Sequence, residues 1–263
     1  TSLPGVHFTE HLPLLAKRAH KFSLIRSAYV DSPSHETAIH MTLTGWTLSG
    51  ANTTTKNINH THPAMGAVIA KKCESRVPGM PGYVTVPQSG QLGVRVHYGT
   101  SGLLGPAYEP IDSGMPSGNP AQPFAGPPDL DLNAATDVRR VADRLALLNG
   151  VDQLNGAVDG LDSYSRRAVE MLAGGKAGEP FNLGREPLKN RERYGRHTWG
   201  QQALLARRLA ESGVPFTLVN FNLNQKTGQD WDNHVGIFKA MKNRLLPPTD
   251  LAISTLIDDL DER

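Results

Sequence analysis

Apolar residues along the chain recur with two different spacings, and segments of each kind alternate. Apolar residues three and four positions apart are typical of one helix face, whereas short alternating or continuous apolar runs are typical of strands. The spacing predicts helices over residues 12–19, 36–43, 63–72, 136–148, 161–172, 198–212 and 237–261, and strands over residues 22–30, 83–87 and 214–221. This alternation favours an α/β fold, in which helices cover a mostly parallel sheet and ligands bind at the carboxyl ends of the strands.

Two segments interrupt the alternation. Glycine and proline crowd together over residues 89–128, which predicts a long Gly/Pro-rich loop that contacts a substrate or a partner. The two helices within residues 136–173 are expected to form a helical insertion that needs no chemical role. The last helix is expected to break at Pro247 and Pro248, because proline removes a helical hydrogen bond. Residues 1–263 are then expected to form a single domain.

Composition and charge exclude several classes of protein. Lys and Arg total 27 against 25 Asp and Glu, so the formal net charge is +2 and no basic groove for nucleic acid is expected. No apolar run approaches the ~18 residues of a membrane-spanning helix, so no membrane span is expected. The single cysteine, Cys73, excludes an intrachain disulfide.

The sharpest chemical feature is Asp232-Asn233-His234, which follows the last predicted strand. In an extended segment, residues two apart point to the same side, so Asp232 and His234 could converge on one metal ion. In a helix the same two side chains would diverge by about 200°. The alternative is an Asp that caps the following helix beside a surface histidine.

A second feature lies at the turn from the strand over residues 22–30 into the next helix. Ser34, His35 and Thr37 occur there, where a helix N-terminus can hold an anion and where a nucleophile or metal ligand would be well placed. His40 lies five residues after His35 and so faces about 140° away from it on a helix. The alternative for Ser34 is an ordinary N-cap.

Other motifs are weaker or absent. His60 and His62 precede Pro63 in a polar segment, where histidines are usually solvated and bind no metal. The Gly-x-Ser-x-Gly, P-loop and paired Cys-x-x-Cys motifs are all absent from the sequence, which excludes the serine hydrolase, P-loop and zinc-ribbon classes.

Several segments together resemble one family, the bacterial exported proteins of domain-of-unknown-function family 1501, which are often labelled sulfatase-like and related to the alkaline phosphatase superfamily. The resemblance runs nearly from end to end. The segments that carry it are Glu10-His11-Leu12-Pro13, Leu24-Ile25-Arg26-Ser27, Ser34-His35-Glu36-Thr37-Ala38, Leu43-Thr44-Gly45, Leu104-Gly105-Pro106-Ala107-Tyr108, Tyr194-Gly195-Arg196, Leu205-Ala206-Arg207-Arg208-Leu209, Gly213-Val214, Trp231-Asp232-Asn233-His234 and Asp258-Asp259-Leu260-Asp261-Glu262-Arg263.

The resemblance implies an alkaline phosphatase-like sheet flanked by helices and a metal-dependent hydrolase of sulfate or phosphate esters. In that light Asp232 and His234 look like ligands of a divalent metal ion (zinc, calcium or magnesium), and the substrate is a small anionic ester. His35 looks like a site residue, with Ser34 or Thr37 as the nucleophile. True sulfatases carry a modified Cys or Ser ahead of Pro-Ser-Arg; here residues 31–35 read Asp-Ser-Pro-Ser-His, which argues against a formylglycine mechanism.

The resemblance also implies that this chain lacks part of the family's domain and that the protein is exported. Relatives carry further Gly-rich, acidic and Asp-His segments upstream and downstream, so this chain is expected to be an incomplete domain that is inactive alone. Export to the periplasm or cell surface is implied as well. The alternative is a non-catalytic exported binding or surface protein that keeps the fold, since fold does not fix function.

Overall fold

The computed structural model describes residue 1 and residues 3–47, 62–73, 77, 79–87, 99–114, 177–221, 231 and 235–263, with only the backbone at 35 and 36. Its α-helices are α1 (Pro13–Lys17), α2 (His35–Thr44), α3 (Met65–Cys73), α4 (Leu188–Arg193), α5 (Thr198–Glu211), α6 (Ile237–Ala240) and α7 (Leu246–Asp261), and a π-helix (Met241–Leu245) joins the last two. Its strands are β1 (Tyr83–Val86), β2 (Ile111–Asp112) and β3 (Phe216–Val219). Short 3-10 turns lie at Ala19–Lys21, Gly102–Leu104, Pro106–Tyr108, Glu179–Phe181 and Leu183–Arg185.

The three strands form a small open parallel sheet in the order β2-β1-β3. Alternate residues of a strand point to opposite faces, and β1 is buried on both. Val84 and Val86 pack in a cluster with leucines of α5, whereas Tyr83 packs with Ala67 and Ala70 of α3. Helices therefore cover both faces of the sheet, which confirms the predicted α/β class for the described part of the chain.

Local signals place α5 and β3 where the sequence predicts them. Leu204, Leu205 and Leu209 are all buried on one stripe of α5. Gly213 then turns the chain with φ +94°, and a Cβ there would lie 2.7 Å from a methyl group of Val77. Glycine is required at this position by both its conformation and its contact.

At the two prolines, where the sequence predicts a break, the structure has a change from a π-helix to an α-helix. The π-helix ends at Leu245, and Pro247 lies in the first turn of α7, the part of an α-helix that tolerates proline best. The chain therefore passes from α6 to α7 through a change of helix type. Among the described residues, no helix combines the length and apolarity that crossing a membrane requires.

Two predictions of secondary structure differ from the structure. The segment 22–30 contains no strand, and its residues Leu24, Ile25 and Tyr29 are 62%, 76% and 85% exposed. A strand needs a partner to satisfy its backbone, and the described residues provide none for this apolar segment. Within the predicted loop over 89–128, residues 99–114 contain two 3-10 turns and the strand β2. The predicted helical insertion over 136–173 lies outside the described residues.

Candidate functional site

The carboxyl ends of the three parallel strands line one edge of the sheet, where α/β proteins bind ligands. Strand β2, which follows β1 in the chain, lies on one side of β1, and β3 lies on the other side. The direction in which strands are added to the sheet therefore reverses between β1 and β3. Backbone bonds close this edge: the N–H of Asn220 donates to the carbonyl of Val86 at 2.7 Å, and that of Ser113 donates to Thr85 at 2.9 Å. The Ser113 hydroxyl also donates to the carbonyl of Pro87 at 3.1 Å.

Helices α3 and α5 begin at this same edge. Each precedes a parallel strand and returns along it, so its N-terminus lies beside the strand's carboxyl end. Trp199, in the first turn of α5, stacks on Phe221 just beyond β3 with ring centroids 5.6 Å apart. At the opposite edge, a Cβ on Gly82, which precedes β1, would lie 2.8 Å from the Cβ of Ala70 near the end of α3.

A stack of aromatic rings fixes Trp231 at the carboxyl end of β3. Its indole Nε1 donates to the carbonyl of Phe221 at 2.7 Å, and its ring lies 5.5 Å from that of Trp199 at an interplanar angle of 12°. Trp199 is 1% exposed and Trp231 is 36% exposed. Asp232 and His234, the predicted metal pair, follow directly in the chain and lie outside the described residues, so their pairing stays a prediction.

The predicted nucleophile segment begins helix α2. Ser34 occupies the N-cap position with extended backbone (φ −85°, ψ 129°), but its side chain makes no capping hydrogen bond. Thr37 is buried, and its hydroxyl has no hydrogen-bond partner among the described residues. The backbone of His35 forms the first helical residue, while its side chain lies outside the described atoms.

A cluster of aromatic rings joins α2 to the start of α3. His62, just before α3, stacks on Trp46 with centroids 5.0 Å apart and meets buried His40 edge to face at 5.6 Å. His62 is half-buried: Trp46 covers one face of its ring and its Nδ1 is buried, so the ring is less solvated than the sequence predicts. His60 lies outside the described residues. The cluster places α2 against the end of α3 that faces the carboxyl edge.

No metal-binding group is complete within the described residues. Nowhere in the described ranges do three or more His, Cys, Asp or Glu side chains come close enough to hold a metal ion.

Many motif residues outside this edge form a buried network of charges, a role that no local sequence signal reveals. Arg207 Nη2 lies 2.5 Å from Glu186 Oε1, and its Nη1 lies 2.5 Å from Glu211 Oε2. Its Nε lies at ion-pair distance, 3.1 Å, from Asp259 Oδ2, and that oxygen accepts a hydrogen bond from the Tyr194 hydroxyl at 2.8 Å. The network connects α5 to α7 and to the residues before α4.

The two buried carboxyl groups of this network, those of Glu186 and Asp259, stay ionised. Burial by itself raises the pKa of Glu186, but hydrogen bonds from Asn190, Arg208 and Arg207 outweigh it and hold the pKa below its ordinary value. The pKa of Asp259 is lowered in the same way. These groups balance each other's charges and are assigned to stability rather than to chemistry.

Charged residues of α7 also hold the N-terminal segment. The carboxylate of Asp250 accepts hydrogen bonds from the backbone N–H of Leu14 and Leu15, both at 2.8 Å, and so caps α1 from a distant part of the chain. Arg18 pairs with Asp258, and this hydrogen bond is the main cause that lowers the pKa of Asp258 to about 2. Helix α7 and the segment around α1 are therefore structural partners.

Comparison with known proteins gives one result. The model of a family described as "Protein of unknown function (DUF1501)" matches residues 1–263. No curated protein and no solved structure matches the chain.

Proposed function

This chain belongs to the DUF1501 family, and we propose that it is a metal-dependent hydrolase of sulfate or phosphate esters with an alkaline phosphatase-like fold. In this proposal the ester binds at the carboxyl edge of the sheet, between β1 and β3. Export to the periplasm or cell surface belongs to the same proposal and rests on the family resemblance.

The observation that carries the proposal is the position of Trp231. Its hydrogen bond to Phe221 and its stacking on Trp199 hold it at the carboxyl end of β3. The chain passes from this anchor directly into Asp232-Asn233-His234. The sequence therefore brings a carboxylate and an imidazole within three residues of an anchor at the edge where open parallel sheets bind their ligands.

The residue types of the pair fit a divalent metal ion. Carboxylate oxygen and imidazole nitrogen are common donors to zinc, and carboxylate oxygen also suits calcium and magnesium. Asp232 and His234 would hold the ion, which supplies positive charge that polarises a sulfate or phosphate oxygen. The described residues contribute the anchor at Trp231 but no complete ligand set.

The attacking group in this proposal comes from the start of α2. Thr37 has a buried hydroxyl with no hydrogen-bond partner among the described residues, and Ser34 occupies the N-cap. The hydroxyl oxygen of one of them would bond to sulfur or phosphorus while the bond from that atom to the alcohol oxygen breaks; the alcohol leaves with a proton from solvent, and water would then hydrolyse the ester formed on the protein. His35, at the same helix start, is the candidate to accept the hydroxyl proton.

Binding tests the proposal more directly than turnover, since the resemblance implies that this chain holds only part of the centre. Zinc is titrated into the chain by calorimetry, beside Asp232→Ala, His234→Ala and the control His20→Ala. His20 is an exposed histidine of the first 3-10 turn. We expect stoichiometric binding that both site variants lose and the control keeps.

Two results would count against the proposal. Equal binding by all four proteins would place the metal elsewhere. No binding by any of them would favour the non-catalytic exported binding or surface protein. Where zinc binds, its retention in Thr37→Val and Ser34→Ala would show that the metal pair does not depend on the candidate attacking groups. Esterase assays on a longer protein can then test the attacking groups.

A further inference from the structure

We propose that a pocket beside the N-terminal segment binds a small organic anion with an apolar chain. The pocket has a volume of about 330 Å³, which lies within the size range of small-molecule sites. Apolar side chains form most of its wall, namely those of Leu3, Val6, Phe8, Phe22 and Leu24. The inference is independent of the proposed function, because no residue that lines the pocket belongs to the candidate site.

Hydrogen bonds and a ring contact hold the walls of the pocket in place. The hydroxyl of Thr1 donates to the carbonyl of Val6 at 2.8 Å, and the N–H of Val6 donates to the carbonyl of Leu3 at 3.2 Å. Phe8 meets Phe22 edge to face, with ring centroids 6.1 Å apart. A ligand therefore meets a wall that is already formed, so binding orders few groups and most of the contact energy contributes to affinity.

Arg26 gives the pocket a positive charge. It lines the pocket, and among the described residues no carboxylate pairs with its guanidinium. Arg18, Arg193 and Arg207, by contrast, each lie against a carboxylate. His7 also lines the pocket and is either neutral or positive, so it adds no negative charge. Charge complementarity therefore favours an anion over a neutral or cationic ligand.

The apolar wall favours a ligand that also carries a chain. Leu24 is 62% exposed and Leu3 is 37% exposed, although both line the pocket. Ala19, a third lining residue, is only 4% exposed, so the pocket reaches inwards to buried apolar surface. An apolar chain that enters the pocket covers this surface, and removal of apolar surface from water favours binding. Together with Arg26, the wall predicts a negative group at one end of the ligand and an apolar chain at the other.

Calorimetry in a metal-free buffer that contains EDTA tests the inference separately from the proposed metal site. The probes are octanoate, octyl sulfate, the shorter hexanoate and uncharged 1-octanol. The proteins are the unmodified chain, Arg26→Gln, Leu24→Ala and two controls whose residues do not line the pocket. Lys17→Gln replaces an exposed cation of α1, and Leu188→Ala replaces a leucine of α4 that is 58% exposed.

We expect octanoate or octyl sulfate to bind in a 1:1 ratio and more tightly than 1-octanol. The two additional methylene groups should make octanoate bind up to about fifteen-fold more tightly than hexanoate, which corresponds to about 0.8 kcal/mol per methylene. Arg26→Gln should weaken the anions by about two- to five-fold and leave 1-octanol unchanged, as for the loss of an exposed ion pair. Leu24→Ala should reduce the advantage of octanoate over hexanoate, while both controls bind like the unmodified chain. The tighter of the two eight-carbon anions identifies the head group as a carboxylate or a sulfate.

Three results would overturn the inference. They are the absence of binding by both eight-carbon anions, binding of 1-octanol that is as tight as that of octanoate, and equal affinities in all five proteins. The last result would place the anions elsewhere on the surface. Arg26 and Leu24 are both exposed, and circular dichroism of each variant confirms that a lost affinity is not a loss of folding. Zinc binding at Asp232 and His234 is measured separately, so failure here leaves the proposed function standing.

Discussion

Arg207 is a buried cation that lies between the carboxylates of Glu186 and Asp259. Arg207→Leu removes the cation and leaves both carboxylates buried. The guanidinium is 2% exposed and lies 2.5 Å from Glu186 and 3.1 Å from Asp259. Removal of one partner from a buried ion pair costs about 3–5 kcal/mol, because the other charge is left buried without its counterion. Arg207→Leu should therefore be among the most destabilising substitutions in α5.

The surrounding contacts place the expected cost near the lower end of that range. Glu186 keeps hydrogen bonds from Asn190 at 2.7 Å and Arg208 at 2.8 Å. Asp259 keeps those from the Tyr194 hydroxyl at 2.8 Å and Arg263 at 2.9 Å. Both carboxylates remain partly compensated, so we expect a loss of about 3 kcal/mol in the free energy of unfolding.

Urea unfolding followed by tryptophan fluorescence measures this loss, because Trp199 is buried in the same helix. With a denaturant slope of about 2 kcal/mol per molar urea, the midpoint should fall by about 1.5 M. Arg263→Leu is the control: its side chain is 44% exposed, and exposed ion pairs contribute about 1 kcal/mol or less.

A double variant separates the buried charge from lost packing. Glu186→Gln in the Arg207→Leu background neutralises a buried carboxylate that has lost one of its two arginine partners, so the two substitutions together should cost less than the sum of the single ones. A loss in Arg207→Leu no greater than in Arg263→Leu, or strict additivity in the double variant, would refute the reasoning.

Three further substitutions test other contacts. Gly200→Ala puts a Cβ 2.1 Å from the carbonyl oxygen of Tyr194, so calorimetry should show a lower Tm and a loss of about 2 kcal/mol or more; an unchanged Tm would contradict the packing. Burial lowers the pKa of His197 below 6.5, and its Nδ1 accepts a hydrogen bond from the Gly200 N–H. The unfolded chain therefore takes up the proton first, so the free energy of unfolding falls as pH drops below 6.5. His197→Asn should flatten this fall when Tm is measured against pH. The pKa of Asp258 is about 2 instead of 3.8, so its contribution to the free energy of unfolding is present above pH 3.8 and is lost as pH falls towards 2. Asp258→Asn should be less stable than the unmodified chain at neutral pH and should not lose that stability in acid. Identical acid unfolding profiles would contradict the pairing with Arg18.

Elements with strong local signals could be predicted from the sequence. Helix α2 begins after Ser34 and ends at Thr44; the capping residue Gly45 has φ +75° and donates its N–H to the carbonyl of Met41. The succession of α5, Gly213 and β3 follows from an apolar helical stripe, a left-handed glycine and a short β-rich run. These features depend on residues close together in the chain.

Features that depend on distant partners could not be predicted. The apolar run over 22–30 reads as a strand, yet a strand requires a ladder partner that the run itself does not specify. Conversely, Ile111 and Asp112 stand among prolines and glycines but pair with Val84 and Thr85 of β1. Loop composition alone gives no sign of this pairing.

In the candidate site, too, local features could be predicted from the sequence and contacts between distant residues could not. The sequence predicts Asp232 and His234 as a metal pair from their spacing, and the structure adds an anchor at Trp231, the residue before Asp232 in the chain. The stack with Trp199 joins residues 32 positions apart, so no local pattern reveals it. Arg207 illustrates the reverse case, since a motif residue that carries the family resemblance serves the fold.

Fluorine NMR on the chain labelled with 5-fluorotryptophan tests the central claim most directly. The chain has 3 tryptophans, and Trp→Phe variants assign their signals. Paramagnetic Mn²⁺ broadens signals in its immediate vicinity, and the account predicts that Trp231 broadens first, that excess zinc reverses this, and that His234→Ala abolishes it. A Trp231 signal that stays sharp while Mn²⁺ binds would show that the metal lies away from the carboxyl end of β3 and would contradict the account.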